Sequence, residues 1–280
     1  MPERTTTRRR QLGAMMRKLR ARKGLTLEAG QLVGVSKATV SRYETQAGPV
    51  KWIVIDALCR EYGATDAERK AVVGLAKEAK QQGWWSSFSD SIPESMNLLL
   101  TLEDEAVREN HFSCVYVPGL LQTRAYSTAL QKANEVPLEA TEIERLVDIR
   151  MKRQEILTRP RPLQLWAILD ESVIRRVVGS PQTMRDQLDR LLETNESPHI
   201  TLQVLPFSKG AHAAALGSFV IIGGTEQALD VVYVDFHTGS LFLEKDEELE
   251  RYRLAFEYLR AQALDMEASS AMIHHARKEL

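Results

Sequence analysis

Gly24-Leu-Thr-Leu-Glu-Ala-Gly30-Gln-Leu-Val-Gly34-Val-Ser-Lys-Ala-Thr-Val-Ser-Arg42-Tyr-Glu44 decides how the start of this chain folds. Two short helical patterns flank a Gly34-Val35 turn. Thr26 stands where a hydroxyl caps the first of them, about 27–33, and Ser36 stands where one caps the second. Gly30 falls where the two helices must cross, a place with no room for a side chain. On the second helix Val40 and Tyr43 share one face at i, i+3. That spacing turns them inward and leaves Lys37, Ala38, Thr39, Ser41 and Arg42 on the outside and around the N-terminal end.

Working outward, 8–23 reads as a preceding helix, with Leu12, Met15, Met16 and Leu19 at helical spacing and Gly24 as its stop. Two further helices are expected at about 51–62 and 66–81. Trp52, Ile55, Leu58 and Cys59 form the inner stripe of the first, and Gly63 ends it. The expected head is all-α with five helices. Arg20 and Glu44 are expected to form a structural ion pair between the first helix and the third.

Charge sorts the chain into two parts. Residues 1–80 carry 17 Lys/Arg against 8 Asp/Glu, a formal +9, while residues 81–280 carry 20 against 30, a formal −10. The near-neutral total of −1 therefore hides a basic head on an acidic body. A concentrated positive face attracts a phosphate backbone. Two helices around a tight turn allow the second to enter a DNA major groove. On that reading Lys37, Ala38 and Arg42 reach base edges, Arg42 by forking onto guanine and Ala38 through its methyl. Thr39 and Ser41 then face phosphates, with Arg17, Thr26 and Ser36 completing the DNA-binding set.

Val35-Ser-Lys-Ala-Thr-Val-Ser-Arg-Tyr-Glu44 resembles the turn and recognition helix of the lambda-repressor-like, Xre-type helix-turn-helix family. The resemblance implies a transcriptional regulator that binds double-stranded DNA. The chain departs from that pattern by being one residue shorter between Leu25 and Gly34, which shortens or shifts the second helix.

Length and composition allow two domains. Residues 1–80 are expected to form the DNA-binding domain and 81–94 a linker, where Gly83, Trp84 and Trp85 sit in a Ser-rich stretch. Residues 95–280 are expected to form an α+β domain with a mostly antiparallel sheet. Helices are expected at about 123–134, 139–158, 184–193 and 246–263, with a short tail helix after the last. Strands are expected at 163–169, 199–205, 218–222, 231–235 and 240–243, joined as a meander of antiparallel pairs. No run approaches the roughly 20 apolar residues of a membrane helix. Arg4 to Arg10 lacks the apolar stretch of a signal peptide. Cys59 and Cys114 lack metal-ligand spacing and read as reduced thiols. A cytoplasmic, nucleoid-associated protein without membrane attachment, metal or other cofactor is the expectation.

The body is similar to the C-terminal domain of unknown function of an actinobacterial regulator family described as antitoxin-like. The resemblance runs in order through Val117-Pro-Gly-Leu-Leu-Gln-Thr123, Arg150 with Arg153-Gln154, Ile168-Leu-Asp-Glu-Ser-Val-Ile-Arg-Arg176 and Met184-Arg-Asp-Gln-Leu188. It continues through Gln203-Val-Leu-Pro206, Gly210-Ala-His212 and Val231-Val-Tyr-Val-Asp235. It departs at Asp235, where that family more often has Glu. It departs again at Ala213-Ala-Ala-Leu-Gly-Ser218, where a shorter Gly/Pro turn is usual. The resemblance implies a regulator whose body binds itself or a small partner protein encoded nearby.

The body has no phosphate-binding glycine loop, no Gly-x-Ser-x-Gly and no His-Glu-x-x-His. An enzyme is therefore not expected. Dimerisation is expected because one recognition helix spans only a few base pairs, so such heads use paired half-sites. Arg150, Arg153, Asp170 and His212 are the polar residues in the body considered for a partner or ligand. Three readings of the body stay open: a dimerising sensor, an interaction module that sequesters a small partner, and a small-molecule receptor.

Overall fold

The computed structural model describes residues 7–45, 51–78, 92, 94–133, 138–224, 230–237 and 239–280. The chain divides into two compact units, Met1–Glu105 and Ala106–Leu280. Arg4 and the Trp84-Trp85 pair lie outside the described residues. So does most of the expected 81–94 linker.

In the first unit, helix α1 (Thr7–Arg22) leads into a 3-10 helix (Leu27–Val33). Helices α2 (Lys37–Thr45), α3 (Trp52–Glu61), α4 (Asp66–Glu78) and α5 (Glu94–Glu105) follow. The second helical segment of the head is thus 3-10 rather than α. Leu12, Met16 and Leu19 of α1 meet Val40, Tyr43, Ile55, Leu58, Cys59, Val72 and Ala76 in one apolar core. Cys59 donates to the Met16 sulfur at 3.8 Å, and burial pushes its thiol up to about 12, so it stays protonated. Trp52 departs from its expected inward place. It occupies the first turn of α3 and is more than a third exposed, while Ile55, Leu58 and Cys59 one turn on are sealed.

Helix α4 opens on a reciprocal cap that the sequence analysis did not single out. The Thr65 amide donates to Glu68 at 2.8 Å and the Glu68 amide donates to the Thr65 hydroxyl at 3.2 Å. Arg22 adds two bonds to the same carboxylate, and with Thr65 they hold Glu68 down at about 2.

The second unit is α+β around a six-stranded sheet of order β3-β2-β1-β4-β5-β6. Its strands are β1 (Arg108–Ser113), β2 (Gln164–Asp170), β3 (Ile200–Leu205), β4 (Phe219–Gly223), β5 (Val231–Phe236) and β6 (Gly239–Leu243). Three of the five pairings are antiparallel: β1 with β4, β4 with β5, and β5 with β6. The expected meander holds for β4 to β6 and fails for β3, which pairs parallel to β2, as β2 does to β1. The reason lies in the connections. Helices α6 (Arg124–Lys132) and α7 (Ala140–Arg153) separate β1 from β2, and α8 (Glu171–Arg175) and α9 (Pro181–Thr194) separate β2 from β3. Crossovers of that length return the chain to the same end of the sheet.

Strand β1 itself escaped the sequence reading. Arg-Glu-Asn-His-Phe-Ser looks polar, yet it lies inside the sheet with Glu109, Phe112 and Ser113 buried. Helix α10 (Asp246–Gln262) covers one face, setting Leu249, Phe256 and Leu259 against Phe112, Ile168, Phe219 and Val232. Helix α11 (Met266–Lys278) lies along the β3 edge. There the Leu264 amide donates to the Val204 carbonyl at 2.9 Å, and the Val204 amide donates to the Ser269 hydroxyl at 2.9 Å. The Leu202 amide donates to the Asn195 side chain at 3.1 Å, so that edge is satisfied and covered.

Candidate nucleic-acid interface

Three local devices set the pose of α2. At the turn, Gly34 holds φ +73° while its amide and the Val35 amide close onto the Gln31 and Gly30 carbonyls at 3.1 and 2.9 Å. A side chain is strained in that left-handed conformation, so glycine is the residue for the site. At the crossing, a Cβ on Gly30 would stand 2.5 Å from Val40 Cγ2 and 2.9 Å from the Val35 carbonyl. Only glycine lets the 3-10 helix sit this close to α2. At the start of the helix, the Ser36 hydroxyl accepts the Thr39 amide at 3.2 Å. Thr26 caps the 3-10 helix in the same way through the Glu28 amide at 3.3 Å.

The fourth device is the ion pair. Arg20 donates to both Glu44 oxygens, at 2.6 and 2.8 Å, and to the Leu25 carbonyl at 2.8 Å. Glu44 is 4% exposed, and its hydrogen bond with Arg20 raises the guanidinium's pKa despite partial burial. One fork thus joins the end of α1, the loop behind it and the last turn of α2. Arg17 lies beside the same junction, exposed, with Nη2 at 3.4 Å from the Glu44 carbonyl.

With Val40, Tyr43 and Glu44 turned inward, α2 presents Lys37, Ala38 and Arg42 to solvent, and Ser36 is exposed at its mouth. Thr39 and Ser41 are half-buried. The Ser36 and Thr39 hydroxyls lie 3.1 Å apart, and Arg42 Nη2 donates to the Thr39 oxygen at 3.1 Å. This chain of contacts was not anticipated, although i, i+3 spacing on a helix is the signal that finds it. It holds the Arg42 guanidinium along the outer face near the N-terminal turn, where helix N-terminal amides also favour an anion. The geometry suits a duplex: a short helix with a cation at each end, hydroxyls at its mouth and a small methyl-bearing residue between them.

The residues considered for a site in the body have other engagements. Arg150 Nη1 donates to Gln122 Oε1 at 2.7 Å, and Arg153 is buried with Nη1 over Gly119, where a Cβ would stand 3.1 Å away. Asp170 caps α8 by accepting the Ser172 amide at 2.9 Å. His212 accepts the Ala214 amide at 3.3 Å through Nδ1 and packs edge-on to Phe112 at 5.4 Å. Arg150 and Arg153 therefore gather at the 119–122 turn, while Asp170 and His212 serve their own loops. Among the described residues no cluster of His, Cys, Asp and Glu has the makings of a metal site. No described helix is long and apolar enough to cross a membrane.

A basic helical head carrying this turn, joined to an α+β body, defines a helix-turn-helix protein with a second, larger domain. Residues 11–72 match a helix-turn-helix domain, the architecture of DNA-binding regulators. Residues 96–275 match the domain of unknown function DUF5753, and the chain belongs to that family. No curated protein and no solved structure matches the chain.

Proposed function

We propose that the protein is a sequence-specific transcriptional regulator of the Xre type, acting in the cytoplasm on nucleoid DNA. The observation that carries the reading is the outer face of α2, where Arg42 is held by Thr39 beside exposed Lys37 and Ala38. Arg42 forks onto a guanine edge, Lys37 meets guanine or phosphate, and Ala38 lies against a thymine methyl. Arg17, Thr26, Ser36, Thr39 and Ser41 serve the backbone on either side. The protein works as a homodimer on paired half-sites, and the body binds a partner protein or an effector without catalysing a reaction.

A salt-titrated gel shift on the DNA upstream of the gene tests this. Tight binding that depends on sequence and is lost in Arg42→Ala is the expected result. Binding that tracks salt but ignores both sequence and Arg42 would leave α2 an electrostatic anchor only. Sedimentation on operator DNA tests the dimer, and a monomer both free and bound would end that part of the reading.

The second reading makes the protein antitoxin-like: the body sequesters a small partner from a neighbouring gene, and DNA binding serves autoregulation. What favours it is the apolar surface that the body leaves in solvent at Val115, Tyr116, Val177, Phe207 and Leu216.

A further inference from the structure

Eleven large apolar residues of the second unit are exposed among the described residues, and five of them stand on three loops. Val115 and Tyr116 follow β1, Val177 follows α8, and Phe207 and Leu216 follow β3. All three loops leave the same end of the sheet, because β1, β2 and β3 run parallel. In open sheets with helical crossovers, the loops beyond the strand C-termini are where ligands are met. Leu216 is fully exposed, in the turn of the Ala213–Ser218 segment.

These loops are fastened to one another. The Ser172 hydroxyl donates to the Cys114 carbonyl at 2.9 Å, and the Cys114 amide donates to the Ser218 hydroxyl at 3.0 Å. The Phe207 amide donates to Glu171 Oε2 at 2.9 Å, and Ser113 Oγ donates to the Tyr116 carbonyl at 2.5 Å. Beneath them Ala214 joins the sheet core, and His212 packs on Phe112. The apolar side chains are therefore held out on a preset platform, which lowers the ordering cost of a contact. Apolar surface concentrated on a fixed support marks an interaction site.

Charge decides what the platform takes. Arg176 and Lys209 stand exposed on the same loops and have no ion-pair partner among the described residues. The carboxylates on and beside these loops are committed: Glu171 to Arg175 through Oε1 and to the Phe207 amide through Oε2, Asp170 to the Ser172 amide, and Glu279 to Arg175. An otherwise acidic body thus shows an apolar, basic-rimmed platform here. A twofold contact between two such platforms would set each cation against cations of the same kind. Two basic side chains give an anionic membrane only about 2 kcal/mol of attraction.

We propose that the end of the sheet carrying Val115, Tyr116, Val177, Phe207 and Leu216 is a docking surface for a protein partner. The partner's segment presents large apolar side chains flanked by carboxylates, which meet Arg176 and Lys209. This rests on the reading of the body as the partner-binding part, and it is independent of how α2 reads DNA.

The test pans a displayed library of random 16-residue peptides on the full-length protein, with the Phe207→Ser/Leu216→Ser variant as a counter-target. The expected pool is rich in Asp and Glu beside Leu, Ile, Phe or Trp, and the variant fails to retain it. Selected peptides should bind the Arg176→Glu/Lys209→Glu protein at least tenfold more weakly than the parent. All four side chains are exposed, so both variants should melt with the parent. If the serine variant does not, the charge-reversal protein alone carries the comparison. A neutral or basic pool, a pool the counter-target keeps, or no enrichment overturns the proposal. So does binding of phosphatidylserine vesicles that depends on Leu216, or self-association that Phe207→Ser/Leu216→Ser abolishes. Gel shifts with the same variants keep the two readings apart: both should bind DNA like the parent, and a failed peptide test with DNA binding intact overturns only this surface.

Discussion

Helices α2 and α7 both carry arginines that invite a functional reading, yet the fold treats them in opposite ways. On α2, Arg42 stands in solvent with one weak tether to Thr39, and Lys37 is exposed near the start of the helix. On α7, Arg153 is buried and Arg150 is drawn onto the 119–122 turn through Gln122. Gln154, just beyond, donates to the Gly119 and Gln122 carbonyls at 2.9 and 2.8 Å. Gln187 of α9 closes the far side, accepting the Thr123 amide at 2.7 Å and donating to the Leu121 carbonyl at 2.9 Å. The same residue type is thus left in solvent in one unit and used as a strut in the other. What separates the two uses is burial and the identity of the acceptor, not charge.

The largest expected effect probes the Arg20–Glu44 strut of the first unit. Glu44→Ala leaves Arg20 without its bidentate partner at a nearly closed junction, and should cost about 3 to 5 kcal/mol. Hydrogen exchange of the Leu12, Ile55 and Leu58 amides in the full-length protein reads it, because these lie in the core of that unit. DNA binding should fall with it. A change under about 1 kcal/mol would place the pair with ordinary surface ion pairs and remove the strut.

Next comes the strut on α7. Arg150→Ala removes a charged donor from buried Gln122 and should destabilise the second unit by about 1.5 to 3 kcal/mol. Affinity for operator DNA should stay within a factor of two. Urea unfolding and the gel shift, run on one preparation, separate these outcomes. Full stability combined with loss of a bound effector would reverse the assignment and make Arg150 a recognition residue.

Arg42→Ala is the mirror experiment. It should weaken operator binding by about 1 to 3 kcal/mol, roughly a fivefold to 150-fold change, and relax the preference at one base pair. Stability should move by no more than about 0.5 kcal/mol, since the side chain is exposed. A large loss of stability with unchanged specificity would make α2 and α7 alike after all.

Much of this contrast was legible in the sequence, and the gaps have physical causes. The turn, both caps, the Gly30 crossing and the facing of Val40 and Tyr43 are local, so short-range spacing reports them. The Arg20–Glu44 pair was also readable, because a cation and a carboxylate on neighbouring helices are otherwise hard to place in a small core. Strand β1 was not readable, since the burial of Glu109 and Ser113 depends on strands more than 50 residues away. Parallel pairing of β3 was hidden for the same reason, because alternation reports a strand but not the direction of its neighbour. In the body, runs such as Val117–Thr123 and Met184–Leu188 turn out to fasten one another across the fold. Arg150 and Arg153, which meet the first of these runs, looked like site chemistry because a sequence does not show which oxygen a guanidinium will meet.

Asp170 gives the smallest and cleanest separation of strut from site. It is the last residue of β2, and its carboxylate accepts the Ser172 amide, which satisfies one of the free donors at the start of α8. A lost cap costs about 1 kcal/mol, so Asp170→Ala should lower stability by that amount. Asp170→Asn keeps an acceptor of the same shape and should recover most of it. A ligand-binding carboxylate behaves differently, because asparagine removes the charge a cationic ligand needs and recovers nothing. Thermal melts of the two variants, with and without the selected peptides, therefore test the cap against the site. Recovery by asparagine leaves Asp170 as part of the support under the loops, and failure to recover restores it as a contact residue.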